Sequence, residues 1–387
     1  MPSMKPLTGV RIVSIEQFGA APYGSMFLAD LGAEVIKVEN SAIGGDPARK
    51  TGPFFLGEND SEYFQTWNSN KKSVTLDLRT DVDKAALLRL VKTADAVMNN
   101  LRGDLPAKMG LDYAALSKVK ASIVCVHISA YGRDNERAAW PGYDYLMQAE
   151  AGLMALTGEP DAPPTRIGAP SMVDHTTGLT AMVGLLAALL NARTTGQGCD
   201  VDTCLFDAAL HQLGYAAIWY LNEKYVPERQ SRSAHFSLAP VQTLPTADGW
   251  VFVMCLTEKF WSALLGVIGR PELARDPRFA TAKARNENRD PLTAELDREF
   301  RKQRTSHWLK ALGGLLPIAP VYELDRALDA PFVRDRMVSQ VPHPARRDLR
   351  ILSNPIKING ERLAQQACPP AGADNDAVLG AQRAAAE

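Results

Sequence analysis

The chain has little that would support redox, metal or disulfide chemistry. Its five cysteines, Cys125, Cys199, Cys204, Cys255 and Cys368, form no C-x-x-C pair and no even framework. That argues against structural zinc and for free thiols in a reducing cytosol. Six histidines are scattered without a His-x-x-x-His pair, so no metal ion is expected. An excess of one charge is missing too. Lys and Arg number 43 and Asp and Glu 44, a net charge of −1, which gives no footing for nucleic acid or an anionic membrane. The basic run Arg346-Arg347-Asp348-Leu349-Arg350 is short and interrupted, and reads as a solvated face. The longest apolar run, Leu179–Leu190, falls short of a membrane span. Val10–Ile15 is too short for a signal segment. The first strand–helix turn, Gly19-Ala-Ala-Pro-Tyr-Gly24, lacks G-x-G-x-x-G, so a nicotinamide cofactor is not expected.

What is present is a substantial core, with 46% hydrophobic and 22% charged residues. Val10–Ile15 reads as a strand, Tyr23–Leu31 as a helix ending at Gly32, and Glu34–Val38 as a second strand. The alternation repeats: a strand at Ser73–Leu78, and a helix at Asp81–Thr93 with Leu87, Leu88 and Val91 on one side. Further strands begin at Ala96 and Ser122. This pattern predicts an α/β fold with a doubly wound parallel sheet. Trp140 opens a helix expected to reach about Leu156. Val201–Leu205 reads as a strand and Phe206–Leu221 as one long helix, whose aromatics suit a core or subunit interface. Composition shifts after Asn222. Polar residues 223–237 read as a linker or active-site loop. They lead to a hairpin at Ala239–Thr243 and Trp250–Cys255, then helices at Lys259–Ile268 and Pro291–Arg301. The expected division is 1–222, 223–325 as a small α/β domain, and a Pro-punctuated return segment at 326–387. The last dozen residues read as frayed.

The centre of interest is Gly168-Ala-Pro-Ser-Met-Val-Asp174-His-Thr-Thr-Gly178. Gly168 and Pro170 mark a loop, and the apolar residues that follow read as a buried helix. Asp174 falls at its start. There, a carboxylate is either an ordinary cap or, held ionised by the helix dipole, a nucleophile. Elsewhere, Gly19 and Ala20 allow a ligand close to the backbone. In open α/β sheets ligands lie beyond the carboxyl ends of the strands. That rim collects Arg79, Asn100, Arg102 and Lys108, a set that suits a phosphorylated ligand.

Six motifs then accumulate in order: Leu7-Thr-Gly-Val-Arg-Ile-Val13, Leu28-Ala-Asp-Leu-Gly-Ala-Glu-Val-Ile-Lys-Val-Glu39, Trp67-Asn-Ser-Asn-Lys-Lys-Ser-Val-Thr-Leu-Asp77, Gly142-Tyr-Asp144, Asp174 with Thr177-Gly178, and Thr195-Gly-Gln-Gly-Cys-Asp-Val-Asp202. Together they resemble the class III CoA-transferases, the formyl-CoA and carnitine CoA-transferase group. The resemblance covers nearly the whole chain and is strongest over Leu7–Leu221. It implies a Rossmann-like large domain built from both ends of the chain, a small inserted domain and an interlocked homodimer. By this resemblance, Asp174 attacks an acyl-CoA thioester, forming an aspartyl–acyl anhydride and then an aspartyl-CoA thioester before CoA passes to a carboxylic acid. Gly19 and Ala20 fall where the family places backbone contacts. Arg79, Asn100, Leu101, Arg102 and Lys108 fall where it holds the nucleotide end of CoA. Tyr143 and Asp144 fall beside the catalytic aspartate. Coenzyme A enters as substrate, with no tightly bound cofactor, and the partners implied are a second copy of the chain, an acyl-CoA and a small carboxylic acid.

Two departures stand out. Asn40 occupies a position that is basic in many members, leaving Arg49 as a possible grip on CoA. No glycine run lies between Arg232 and Trp250, which argues against an oxalate/formate pair. The family's racemase branch is the nearest rival, but it uses a Gly-His-Asp motif where this chain has Gly142-Tyr143-Asp144. Tyrosine, with a pKa near 10, is a poor base at neutral pH. His175, beside Asp174, is the residue that could favour racemisation, although adjacent helix positions do not face each other. A CoA-binding protein without turnover and a nicotinamide-linked dehydrogenase complete the alternatives.

Overall fold

The computed structural model describes residues 4–168 and 170–380. The chain divides into two compact units. The first comprises the residues up to Ala151, Ile167–Gly214 and those from Arg334 onward. The second comprises Gly152–Arg166 and Tyr215–Val333. Against the expected cuts at 222/223 and 325/326, these units change over at 214/215 and 333/334, and 152–166 joins the second.

The main elements of the first unit begin with β1 (Arg11–Ile15), α1 (Ala20–Asp30), β2 (Glu34–Asn40), β3 (Lys72–Leu76), α2 (Asp81–Thr93), β4 (Ala96–Asn99) and β5 (Val124–Ser129). They continue with α3 (Asp144–Glu150), α4 (Met172–Thr195), β6 (Cys199–Cys204) and α5 (Leu205–His211). The six strands form one sheet in the order β3-β2-β1-β4-β5-β6, and every pairing is parallel. The central strands are buried along almost their whole length, as β5 is, which is why they read as apolar runs rather than alternating ones. The order reverses between β1 and β4. In such a sheet the crevice for a ligand opens there, beyond the strands' carboxyl ends.

Local chemistry sets the helices. α2 starts where the Thr80 hydroxyl accepts from the Asp83 amide, with Asp81 and Asp83 in its first turn, an arrangement that caps the helix and suits its dipole. Its buried stripe is Leu87, Leu90 and Val91. Leu88, expected on that side, is exposed, because consecutive helical residues point about 100° apart. α4 is longer than its apolar stretch implied, running 24 residues to a left-handed Gly196. By length and composition it could cross a membrane, but its face of Val173, Thr177, Ala181, Leu185 and Leu189 is buried within the unit. α1 crosses it at Gly24 and Gly178. A Cβ on Gly24 would fall 2.6 Å from the Gly178 carbonyl oxygen, so only glycine permits this approach.

The expected helix from Trp140 to Leu156 is shorter. It spans Asp144–Glu150 and stops before a left-handed Gly152. The expected single helix Phe206–Leu221 is two, α5 and α6 (Tyr215–Glu223), separated by Gly214 at φ +53. β7 (Val241–Pro245) and β8 (Trp250–Met254) pair antiparallel, and Ile318–Pro320 adds a third strand, β9. α7 (Glu258–Ile268), α8 (Arg289–Phe300) and α9 (Thr305–Leu312) also belong to the second unit, whose core includes Val251, Trp261, Leu264, Leu296 and Phe300.

The chain's end returns to the first unit. Asp374 accepts from the Ser73 amide at 2.8 Å and Asn375 from Thr75 at 2.9 Å, so this segment bonds the open edge of β3 and blunts it. It continues into a short helix, Asn375–Leu379, where fraying was expected. Residues 381–387 lie outside the described chain.

Candidate active site

The loop after β1 passes through Glu16, Gln17 and Phe18 into Gly19, which caps α1 without a side-chain bond. The first amides of that helix therefore face outward without an intrahelical partner. Asp174 comes up against this loop from α4. A Cβ on Gly19 would lie 2.5 Å from Asp174 Oδ2, so the carboxylate occupies the space that any larger residue at position 19 would take.

Asp174 is not the cap of its helix. Ser171, with left-handed backbone, holds the N-cap position and makes no capping side-chain bond. Asp174 is the third helical residue. The capping carboxylate comes from α3: Asp144 Oδ2 accepts from the Val173 amide at 2.6 Å and from the Asp174 amide at 3.0 Å. Gln148 donates to Asp144 Oδ1 at 2.6 Å and accepts from Ile167 at 2.9 Å. The start of α4 is thus fastened by a carboxylate remote in sequence.

This changes the electrostatics of Asp174. The helix amides that would have held it ionised are given to Asp144. Burial, and then the Asp144 charge, push the Asp174 carboxyl up to about 7, against a Ser171 hydroxyl that favours the charged form. The sequence had pointed the other way. Burial and then the Asp174 charge likewise push the Tyr63 phenol up to about 12. His175 stacks on Tyr23 with ring centroids 3.9 Å apart and meets Trp67 edge-on. Burial lowers its pKa, and it does not line the cleft that holds Asp174.

That cleft is open to solvent on one side. Of the residues singled out in the sequence, Gly19, Ala20, Asn100, Leu101, Arg102, Tyr143 and Asp174 line it together. A second open cleft adjoins it, sharing Gln17, Asn100 and Leu101 and carrying Arg79 and Asn40. Both open beyond the carboxyl ends of β1 and β4. Two expected residues line neither. Lys108 is exposed and bonded to Asp104 at 2.7 Å. Asp144 is buried and acts through the α4 terminus. Arg49 does not substitute for a basic residue at position 40. It is fully buried, paired with Glu39 through two 2.8 Å bonds and stacked on Phe64 at 3.8 Å.

The loop 16–23 was expected to line the pocket, and its Phe18 does so, meeting Tyr143 edge-on at 6.2 Å. Trp140, Ser129 and Leu205 were not foreseen there. Trp140, half exposed, adds a further aromatic face. Beneath the loop lies an unforeseen cluster of fully buried charges. Lys37 Nζ is 2.8 Å from Asp46, and Lys71 Nζ is 2.7 Å from Glu16. Burial alone would raise the Glu16 carboxyl, but the ammonium groups of Lys71 and Lys37 outweigh it and hold it down to about 2.

The model of CoA-transferase family III matches residues 7–375. The chain belongs to CoA-transferase family III. It is 32% identical to the acetyl-CoA:oxalate CoA-transferase of Acetobacter aceti, over 92% of this chain and 90% of that one. It is 34% identical to the succinyl-CoA:mesaconate CoA-transferase of Haloarcula marismortui, over the same shares. In structure it resembles a CAIB/BAIF family protein from Brucella suis with a TM-score of 0.84 and 32% identity, covering 99% of each chain. As a member of family III, the protein is a transferase whose substrates are CoA thioesters.

Proposed function

We propose that this family III enzyme moves CoA from an acyl-CoA donor to a small carboxylic acid by covalent catalysis on Asp174. The observation that carries the proposal is the placement of Asp174 Oδ2 against the Gly19 backbone, in a cleft shared with the uncapped start of α1. The two adjoining clefts suit a long ligand. The one carrying Arg79 would take the nucleotide end of CoA, and the one carrying Asp174 the thioester.

An Asp174 oxygen adds to the thioester carbonyl, and the thiolate of CoA leaves to give the acyl–aspartyl anhydride. Thiolate then attacks the aspartyl carbonyl, releasing the donor acid and forming the aspartyl-CoA thioester. The acceptor carboxylate attacks that thioester, and the returning thiolate completes the new acyl-CoA and frees Asp174. Each addition creates an oxyanion, and the free amides at the start of α1 are donors fixed in advance. CoA held beside Asp174 makes each exchange effectively intramolecular. Racemisation would need a base on each face of the α-carbon. Among the described residues lining the Asp174 cleft there is no second carboxylate and no imidazole, which favours transfer. The relatives above act on different acids, and a small dicarboxylic or related acid is the class we assign to the acceptor.

Assembly as an interlocked homodimer belongs to the same proposal. Supporting it, α4 leaves Leu179, Val183 and Leu190 exposed along one uncharged stripe, the last two at about 70%.

The test is to incubate the enzyme with succinyl-CoA, trap with hydroxylamine or borohydride, and examine the peptide carrying Asp174 by mass spectrometry. The expected result is a mass change confined to Asp174 and lost in Asp174→Ala. An unmodified peptide during active CoA exchange would refute covalent catalysis.

A further inference from the structure

The three residues that precede Gly19 each have their backbone gripped by a side chain from another segment. Lys37 Nζ donates to the Glu16 carbonyl at 3.1 Å. Asn100 closes a two-way pair with Gln17, its Oδ1 accepting from the Gln17 amide at 2.9 Å and its Nδ2 donating to the Gln17 carbonyl at 2.6 Å. Asp46 Oδ1 accepts from the Phe18 amide at 3.3 Å, while its other oxygen meets Lys37. The backbone so held is not one that Phe18 would choose. Its φ is +57, a left-handed conformation costly for a bulky residue and kept only where the surroundings impose it.

We propose that Asn100 is a positioning residue, holding the Gln17–Phe18 backbone in its left-handed bend so that the start of α1 faces the Asp174 carboxylate. This rests on the covalent role of Asp174 and assigns Asn100 differently from its expected role in holding the nucleotide end of CoA. The carboxamide fits because it presents one donor and one acceptor at the spacing of a peptide group. Asp46 and Lys37 complete the clamp from the buried side. Without Asn100, the Phe18 backbone relaxes toward negative φ and the amides of α1 turn from the reacting carbonyl.

The experiment compares wild type, Asn100→Ala and Asn100→Asp, the last of which keeps the acceptor and loses the donor. For each, kcat is expressed per site trapped at Asp174, alongside KM for succinyl-CoA, the Kd for free CoA and the thermal midpoint. The expected result is a fall in kcat of roughly ten- to hundredfold, the scale of an ångström's misplacement, with KM and Kd within about twofold of wild type. A rise in KM and Kd with kcat kept would make Asn100 a CoA ligand and overturn the inference. So would unchanged kcat per site, whether or not the thermal midpoint falls. If wild type itself shows no adduct at Asp174, the covalent reading fails first and takes this inference with it. An adduct in wild type with unaltered Asn100 variants leaves that reading standing alone.

Discussion

The Asp144 carboxylate accepts the backbone hydrogen of Asp174 at 3.0 Å, so one acid caps the helix that carries the other. The cap fixes where Asp174 sits, and its charge helps to raise the carboxyl to about 7. As the proposed nucleophile, Asp174 must be ionised, so kcat/KM is expected to rise with pH up to about 7 and to be flat above. Asp144→Asn removes the charge while keeping an oxygen for the amides. The acidic limb of the kcat/KM profile is then expected to move to lower pH. The new amide also meets the Gln148 donor, costing about 1–3 kcal/mol of stability. Profiles measured by the appearance of product CoA ester check this, and an unmoved limb would remove Asp144 from the electrostatics of the site.

Gly19 offers a sharper steric test. Its φ of −98 is open to any residue, so backbone strain plays no part. Gly19→Ala would put a methyl carbon 2.5 Å from Asp174 Oδ2 and displace the carboxylate. The expectation is a kcat loss of about a hundredfold or more, with free CoA binding within about twofold by calorimetry. Near-normal turnover would mean that Asp174 reacts from another position.

Arg79 and Lys108 were equivalent on the sequence and are not in the structure. Both are paired with a neighbouring carboxylate, Arg79 with Asp77 and Lys108 with Asp104, but only Arg79 lines the cleft proposed for the nucleotide end of CoA. An exposed charge contact to phosphate is screened by water, so Arg79→Ala should raise KM for acyl-CoA by several-fold and Lys108→Ala by less than about twofold. Equal effects would contradict the placement of CoA across the two clefts.

The parallel sheet was legible because buried β-branched runs alternate with helical periods, a local signal that long stretches of chain repeat. The loops after β1 and β4 followed from topology alone, since ligands gather where strand order reverses. What escaped was non-local. The helix of Asp174 is capped from Asp144, thirty positions earlier, and no spacing rule links the two. Arg49 reads as a free cation in sequence, but Glu39 on the neighbouring β2 claims it. The left-handed Phe18 could not be foreseen either, because its cause lies in Asn100 and Asp46, side chains from other segments.

The exposed stripe on α4 yields a prediction about assembly. Leu179, Val183 and Leu190 follow helical spacing on the face turned from the core, and a contiguous exposed apolar stripe marks an interaction surface. If a second copy covers it, Val183→Glu places an unpaired charge in the interface. The variant should then run as a monomer in light scattering at concentrations where wild type is a dimer. A monomeric wild type, or an undisturbed dimer in the variant, would show that this stripe is not the contact.

Stability should also depend on Asp174 in a direction opposite to that of most carboxylates. Unfolded, its pKa is near 3.8; folded, it is about 7. Between those values the folded protein binds the extra proton, so stability is fully present below about pH 4 and declines as pH rises through 7. At about 1.4 kcal/mol per pH unit, the loss is on the order of 4 kcal/mol above neutrality. Asp174→Asn cannot ionise and avoids it. The variant should match wild type in urea at pH 4 and exceed it by a few kcal/mol at pH 8. Equal differences at the two pH values would mean that Asp174 ionises in the folded enzyme as easily as in water, and that its reactivity owes nothing to burial.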